Sequence, residues 1–318
     1  MNKNIVCLGG GIGTVNLIKG LKDHVDDITV VVSMADEGGS SGRLRRMFKM
    51  FPPGDIISCM AAFYKGKNSN VSKLLTYRFP GNRYGKDGDL SGHKLGNLIM
   101  VALKNITGSF DEAIFLFQHI FDISGKFLPA TVETVTISAK TIEGKEIFGE
   151  ENIDLGKYTG KRILDEVYVH PADVHTPKAV GDALEQADVV VAGPGDLYTT
   201  ILPVLIISDI KKFLTQTKKK KIFIVNVANK PFETKGYDVS DYIDAVKKHL
   251  GVFPFDSIVV NNNYGITIPK KLHYSYVKNS RMQKKDIHVQ CISDDLVDEA
   301  FPIYHSSAKL AKTIMETI

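Results

Sequence analysis

Short apolar runs rich in valine and isoleucine punctuate the chain: NIVCL at 4–8, ITVVVSM at 28–34, DVVVA at 188–192, KIFIVNV at 221–227 and SIVVN at 257–261. Each stops just before a loop of small and polar residues. Between them lie longer stretches with apolar residues at every third or fourth position, clearest in GHKLGNLIMVALKNI from 92 and FDEAIFLFQHIFDI from 110. Strand-length runs alternating with helical stretches predict an α/β protein, a Rossmann-like, doubly wound and mostly parallel sheet. Residues 130–170 break the rhythm. ATVETVTISAK, a turn at EGK and EIFGEENI read as a β-hairpin, with LDEVYV at 164–169 as a further strand, so an antiparallel insert is predicted there.

Composition narrows the classes. The chain has 318 residues, 43% hydrophobic and 24% charged, enough for a large globular core. Forty basic against 36 acidic residues leave a net charge of only +4, which asks for small anions rather than nucleic acid. The run Lys218 to Lys221 reads as a solvated strand edge. Cys7, Cys59 and Cys291 are odd in number and far apart, so neither a disulfide framework nor a zinc site is indicated. No apolar run has the length of a membrane span, and a cytoplasmic setting is expected.

In an open parallel sheet, ligands sit at the carboxyl ends of the strands, where glycine-rich turns and helix N-termini face an anion. Several strand ends here carry such chemistry. LGGGIGTVNLIKGL at 8–21 places Gly9, Gly10, Gly11 and Gly13 before a helix, yet it breaks the dinucleotide fingerprint, because the third glycine falls on Thr14 or Asn16. DEGGSSGRLRR at 36–46 reads as an anion-binding loop. Gly38, Gly39 and Gly42 free the backbone, Ser40 and Ser41 offer hydroxyls, Arg43, Arg45 and Arg46 offer guanidinium forks, and Asp36 suits a ribose hydroxyl or Mg²⁺. Asp55 of FPPGDI reads first as a helix cap. His93 and Asn97 are expected on one helical face at i, i+4, with Gly92 and Gly96 beside them. In AGPGDLYTTILP, Gly193 and Gly195 bracket a proline and Asp196 opens a helix bearing Tyr198. NVANKPFET adds Asn226, Asn229, Glu233 and Thr234. The loops carrying Gly11 and Gly39 follow strands expected to be neighbours, so they should line one pocket.

Taken in order, GGGIGTVNLIKGL, ADEGGSSGRLRR, PPGDI, SGHKLGN, GPGDLYTTILP and NVANKPFETKGYDVSD resemble the signature segments of the CofD-like family over nearly the whole chain, which implies one domain of that fold over 1–318. The family has two arms: 2-phospho-L-lactate transferase, and the YvcK group of gluconeogenesis factors, which bind UDP-sugars and support cell shape and wall synthesis. GGSSGRLRR with PPGD resembles the second arm. The resemblance implies a cytoplasmic regulatory protein that binds a nucleotide-sugar. Gly10, Gly11, Gly13 and Thr14, with Gly38, Gly39, Ser40, Ser41 and Arg43, would hold the diphosphate and Asp36 a ribose or metal; His93, Asn97, Gly193, Gly195, Asp196, Tyr198 and Asn226 would line the rest. No cofactor is then required, since the arginines meet the diphosphate and binding should survive EDTA. The alternative is a Mg²⁺-dependent transferase of a phosphorus-containing group, with Asp36 and Asp55 on the metal; an NAD(P)-binding protein fits less well. No nucleic acid or membrane partner is called for, and a homodimer is compatible with the sequence. The chain departs from the family pattern at Glu37, Ile57, Asp196 and Tyr304, where the usual residues are aspartate, arginine, serine and arginine.

Overall fold

The computed structural model describes residues 3–64, 66, 70–161, 163–281 and 289–318. Its strands are β1 (Asn4–Gly9), β2 (Asp27–Val32), β3 (Lys126–Pro129), β4 (Thr136–Thr141), β5 (Glu146–Phe148), β6 (Leu164–His170), β7 (Val189–Ala192), β8 (Lys220–Ile224), β9 (Ala228–Asn229), β10 (Ser257–Asn261), β11 (Ser275–Tyr276) and β12 (Gln290–Asp294). The helices are α1 (Gly11–Leu21), α2 (Gly39–Phe48), α3 (Gly54–Phe63), α4 (Asn70–Thr76), α5 (Leu95–Thr107), α6 (Phe110–Ile120), α7 (Glu150–Asp154), α8 (Lys178–Gln186), α9 (Leu202–Leu205), α10 (Ser208–Gln216), α11 (Val239–Leu250) and α12 (Ser307–Thr317).

Seven strands form a parallel sheet in the order β12-β10-β8-β7-β1-β2-β3. Strands buried on both faces read as unbroken apolar runs. Accordingly Ile5, Val6, Cys7 and Leu8 of β1 have no exposed surface. The strand order reverses between β1 and β7: from β1 the chain steps one way through β2 and β3, and from β7 the other way through β8, β10 and β12. Right-handed crossovers therefore place helices on opposite faces, and α1 packs with α3 and α12 while α8, α9 and α10 pack together. The predicted antiparallel insert is a separate sheet in the order β5-β4-β6. Among the described residues no helix is long and apolar enough to cross a membrane.

The structure differs from the sequence reading at definite places. β3 and β12 are parallel strands that the pattern did not predict; β3 is only four residues long and β12 is only partly buried, so neither carries a long apolar run. β8 stops at Ile224 rather than at residue 227, because the Asn226 side chain turns to Gly195, donating Nδ2 to its carbonyl (2.8 Å) and accepting from its N–H (3.1 Å). GSSGRLRRMF is helix α2 and not a loop, and the helix from 92 begins only at Leu95. The lysine run is a solvated edge only in part: Lys218 is exposed, but Lys221 is buried and its Nζ donates to the carbonyls of Thr217 (3.0 Å) and Lys219 (3.1 Å).

The segment before α12 is tied down by His305, which is buried, shares a 3.1 Å hydrogen bond between Nε2 and Val225 O, and receives Asn16 Nδ2 on its own carbonyl at 3.2 Å. Burial lowers the imidazole from its ordinary 6.5 to about 4. Unfolded, the ring takes up a proton below its ordinary value; folded, it stays neutral until the lower one. Its contribution is thus present above that ordinary value and lost as pH falls towards the lower one, at most about 3 kcal/mol. His305→Gln should remove that slope. Urea-unfolding free energies measured from about pH 7 to about pH 4 should show wild type losing about 3 kcal/mol more than the variant; parallel pH profiles would refute this role.

Candidate functional site

The strand reversal leaves a gap at the carboxyl end of the sheet between β1 and β7, and two glycine loops close it. Gly13, in the first turn of α1, lies so close to the β7 loop that a Cβ there would sit 2.4 Å from Pro194 O. Thr14 ties the contact: its Oγ1 accepts from Gly10 N–H at 2.8 Å and donates to Pro194 O at 3.3 Å. Thr14 is fully buried and serves this junction. Gly11 N–H donates to the Asp55 carboxylate. Of the amides that the sequence offers to an anion, those of Gly10 and Gly11 are therefore spent on protein, and those of Ile12 and Gly13 remain without intrahelical acceptors.

Above these loops is one cleft with two lobes of about 390 and 380 Å³. The first lies over Gly10, Gly13, Gly195 and Asn226; the second lies over Gly38, Gly39, Ser40 and Ser41 at the start of α2. Gly11, Ile12, Asp36, Asp55, Arg83, Glu150 and Asp154 line both and form the junction. Gly11 and Gly39 thus fall at the same end of the sheet, in one cleft.

Asp36 and Asp55 meet at that junction. Asp55 is not a cap of its own helix, whose N-cap is Pro53; its carboxylate reaches across to α1. Asp36 accepts from Gly38 N–H at 3.0 Å and from the Ser41 hydroxyl. Burial raises both carboxyls, and repulsion from Asp36 raises Asp55 further. Glu150 is raised well above the carboxylate range by burial and by Asp36 and Asp154. Lys94, its charge disfavoured by burial, is the cation nearest this pair in effect.

The arginines predicted to meet a phosphate point elsewhere. Arg43 is 1% exposed; its Nη1 donates to Ser91 O (2.7 Å) and its Nη2 to Asp89 O, so it fastens the 89–91 segment under α2 and lines neither lobe. Arg45 donates to Val135 O and pairs with Glu37 at 3.4 Å, while Arg46 pairs with Asp87 at 2.9 Å. Gly42 explains the turn of α2: a Cβ there would lie 1.6 Å from Glu37 O. His93 and Asn97 do not share a helix, since α5 starts between them, yet both reach Ser40. His93 Nδ1 is 2.8 Å from Ser40 Oγ, and Asn97 Nδ2 donates to that oxygen at 3.2 Å. Of the two, Asn97 lines the second lobe and His93 sits behind it.

On the far side, Gly195 and Asn226 line the first lobe, whereas Gly193 and Tyr198 do not. Tyr198 is 1% exposed and its hydroxyl meets that of Tyr237 at 2.8 Å. Asp196 carries no isolated charge into the site: it accepts from Lys230 Nζ at 2.6 Å, beside Asp154 and Glu233 (3.2 Å). These three carboxylates are close enough to one another to hold a metal ion, and the ammonium of Lys230 occupies their centre. Burial disfavours that charge, but Asp196, Glu233 and Asp154 together push Lys230 well above the usual lysine range. Glu233 also takes Thr199 Oγ1 (2.8 Å) and Tyr198 N–H (3.1 Å), so with buried Asn229 and Thr234 it belongs to a packed network. The residues that the sequence reading did not place in the site are Arg78, Arg83, Lys94, Glu150, Asp154, Lys230, Tyr274 and His305, with Tyr304, singled out only as a departure from the family pattern, in the same wall. Lys94 and Lys230 lie inside quoted motifs; Arg78 and Arg83 come from an irregular stretch with no periodicity to mark them.

The chain matches the family model described as 2-phospho-L-lactate transferase CofD over residues 5–297. It is 35% identical to the Bacillus subtilis protein named gluconeogenesis factor, over 99% of this chain and 98% of that one. The protein of that name from Listeria monocytogenes is 33% identical over 98% of this chain and 94% of its own. A crystal structure of a Bacillus halodurans protein superposes with a TM-score of 0.88 at 32% identity, covering 99% of this chain and 100% of that one.

Arg43 separates fastening from ligand contact. Arg43→Ala removes two charge-assisted bonds in the interior and should cost about 3 kcal/mol of ligand-free stability, read as a lowered melting temperature. A melting temperature unchanged within error, together with lost ligand affinity, would return Arg43 to the site.

Proposed function

The chain belongs to the CofD family, and from the layout of its cleft we propose that it is a cytoplasmic regulatory protein of the gluconeogenesis-factor kind that binds a nucleotide-sugar, a UDP-sugar in particular, and acts on central carbon metabolism and wall synthesis. The observation that supports this best is the character of the first lobe beyond the junction. Beyond the junction, among the described lining residues, Asp196 is held by Lys230 and His305 stays neutral, while Tyr274 and Tyr304 offer two phenol rings to an uncharged base and ribose. A diphosphate then lies over the free amides of Ile12 and Gly13, at the N-terminus of a helix and within the span of Arg83.

Metal-free binding rests on arginines that are engaged elsewhere. A diphosphate at the junction instead meets Asp36 and Asp55, two half-buried carboxylates whose nearest cation in effect is Lys94. Mg²⁺ is bound by one or two carboxylates together with phosphate oxygens, and this pair fits that donor set. Asp36 and Asp55 would hold the ion, which supplies the positive charge that lets carboxylates and phosphates share the site. Ile12, Gly13 and Arg83 orient the diphosphate; Tyr274 and Tyr304 exclude water from the base.

A second reading, a CofD-like transferase of a phosphorus-containing group, is favoured by the position of the same acid pair between two lobes. It predicts Mg²⁺-dependent turnover of a phospholactyl donor that Asp36→Asn abolishes.

Calorimetric titration of UDP-glucose in Mg²⁺ should give saturable 1:1 binding. Chelation with EDTA, or Asp36→Asn, should weaken it at least about tenfold, or about 1.4 kcal/mol. Binding indifferent to EDTA would remove the cation from the proposal; no binding of any UDP-sugar, with turnover of the phospholactyl donor, would replace the binder with the transferase.

A further inference from the structure

Charge is segregated along the cleft. The unbalanced acids Asp36, Asp55 and Glu150 line both lobes and so lie at the junction. Beyond it, the second lobe alone is lined by Lys19, Arg78 and Lys94, and its own acid, Glu151, is paired with Lys157. Neither Arg78 nor Lys94 has an ion-pair partner among the described residues: Arg78 Nη1 donates to Gly92 O (2.6 Å) and Lys94 Nζ to Ser58 Oγ (2.7 Å). At the start of α2 the Gly38 N–H is taken by Asp36, and the N–H groups of Gly39 to Ser41, without intrahelical acceptors, face the same space and add positive potential. The small hydroxyls of Ser58, Ser72 and Thr76 complete the wall.

A second feature is independent of these charges. Asn97, 1% exposed, lines this lobe; its Nδ2 is committed to Ser40, and its Oδ1 has no hydrogen-bond partner. A buried acceptor left unpaired is a place for a ligand's O–H. The lobe therefore asks for an anionic head and a hydroxyl on one small molecule.

We propose that the second lobe is a separate site for a small phosphomonoester with a free hydroxyl, a phosphorylated polyol, bound independently of the nucleotide-sugar. Arg78, Lys94 and the α2 N-terminus hold the phosphoryl oxygens, and Asn97 Oδ1 accepts the hydroxyl. The site stands whatever the first lobe binds.

Calorimetry with glycerol 3-phosphate and, separately, inorganic phosphate tests it. Glycerol 3-phosphate should bind 1:1 and at least about tenfold tighter than phosphate. Asn97→Leu should erase that difference, and Lys94→Met should weaken both ligands. Because Asn97 is buried and Lys94 half-buried, Thr76→Glu, at an exposed position on the rim, supplies the control: it should abolish binding with an unchanged melting temperature. Saturating UDP-glucose should leave the affinity for glycerol 3-phosphate unchanged within about threefold. Displacement of glycerol 3-phosphate by UDP-glucose in a one-site competition, binding unaffected by Thr76→Glu, or no binding of either phosphate would overturn the proposal. If UDP-glucose fails to bind, the phosphate titrations still report on this lobe alone.

Discussion

The cleft depends on one close approach, that of the α1 N-terminus to the β7 loop. Two neighbouring strands send their chains off in opposite directions, and the loops that follow would part if nothing held them. Gly13 lets the backbones meet where a methyl group would strike Pro194 O, and the Thr14 hydroxyl bonds to both loops at once. Gly13 and Pro194 wall the first lobe, and Gly11 and Ile12 beside them line the junction. A side chain at residue 13 would spread the floor of the site and the centre of the sheet together.

The second constraint is how buried charge is met. Interiors tolerate a charge only when it is paired or hydrogen-bonded. Lys230 satisfies this with three carboxylates, so a cluster with metal-binding geometry is closed by the chain's own cation. Arg43 satisfies it with backbone carbonyls. Asp36, Asp55 and Glu150 satisfy it only with N–H and O–H donors and have no ion-pair partner among the described residues, and their raised carboxyls mark where positive charge is missing. The departure at Asp196 is explained in the same terms: where the resembled family usually has serine, this chain adds an acid that is paired with Lys230. For Ile57, fully buried in α3, the structure shows packing and no polar role. Tyr304 lines the first lobe, so an aromatic wall stands where the family usually has a guanidinium.

Sequence reading located the regions of the site better than the side chains that make it. The glycine turns after β1, β2 and β7 were legible because a strand end followed by glycines has few uses. The direction of each polar side chain was not. GGSSGRLRR has the composition of a phosphate loop, yet Arg43 turns inward once the segment is helical, while Asp55, which reads as a cap, crosses to another helix.

By itself the sequence determined the class of fold, because runs of β-branched residues buried on both faces have no soluble alternative to a parallel sheet covered by helices. It also determined where the antiparallel insert lies and which turns must be glycine. Tertiary structure alone decided the order of the strands, hence the reversal at β1 and β7, and with it which loops share a cleft. It also decided the partners of every charge. Hydrophobic periodicity is set by residues three or four apart and survives in a linear reading. Charge pairing is set by distances of a few ångströms between segments such as Asp154, Asp196 and Lys230, and those distances exist only after the chain has folded.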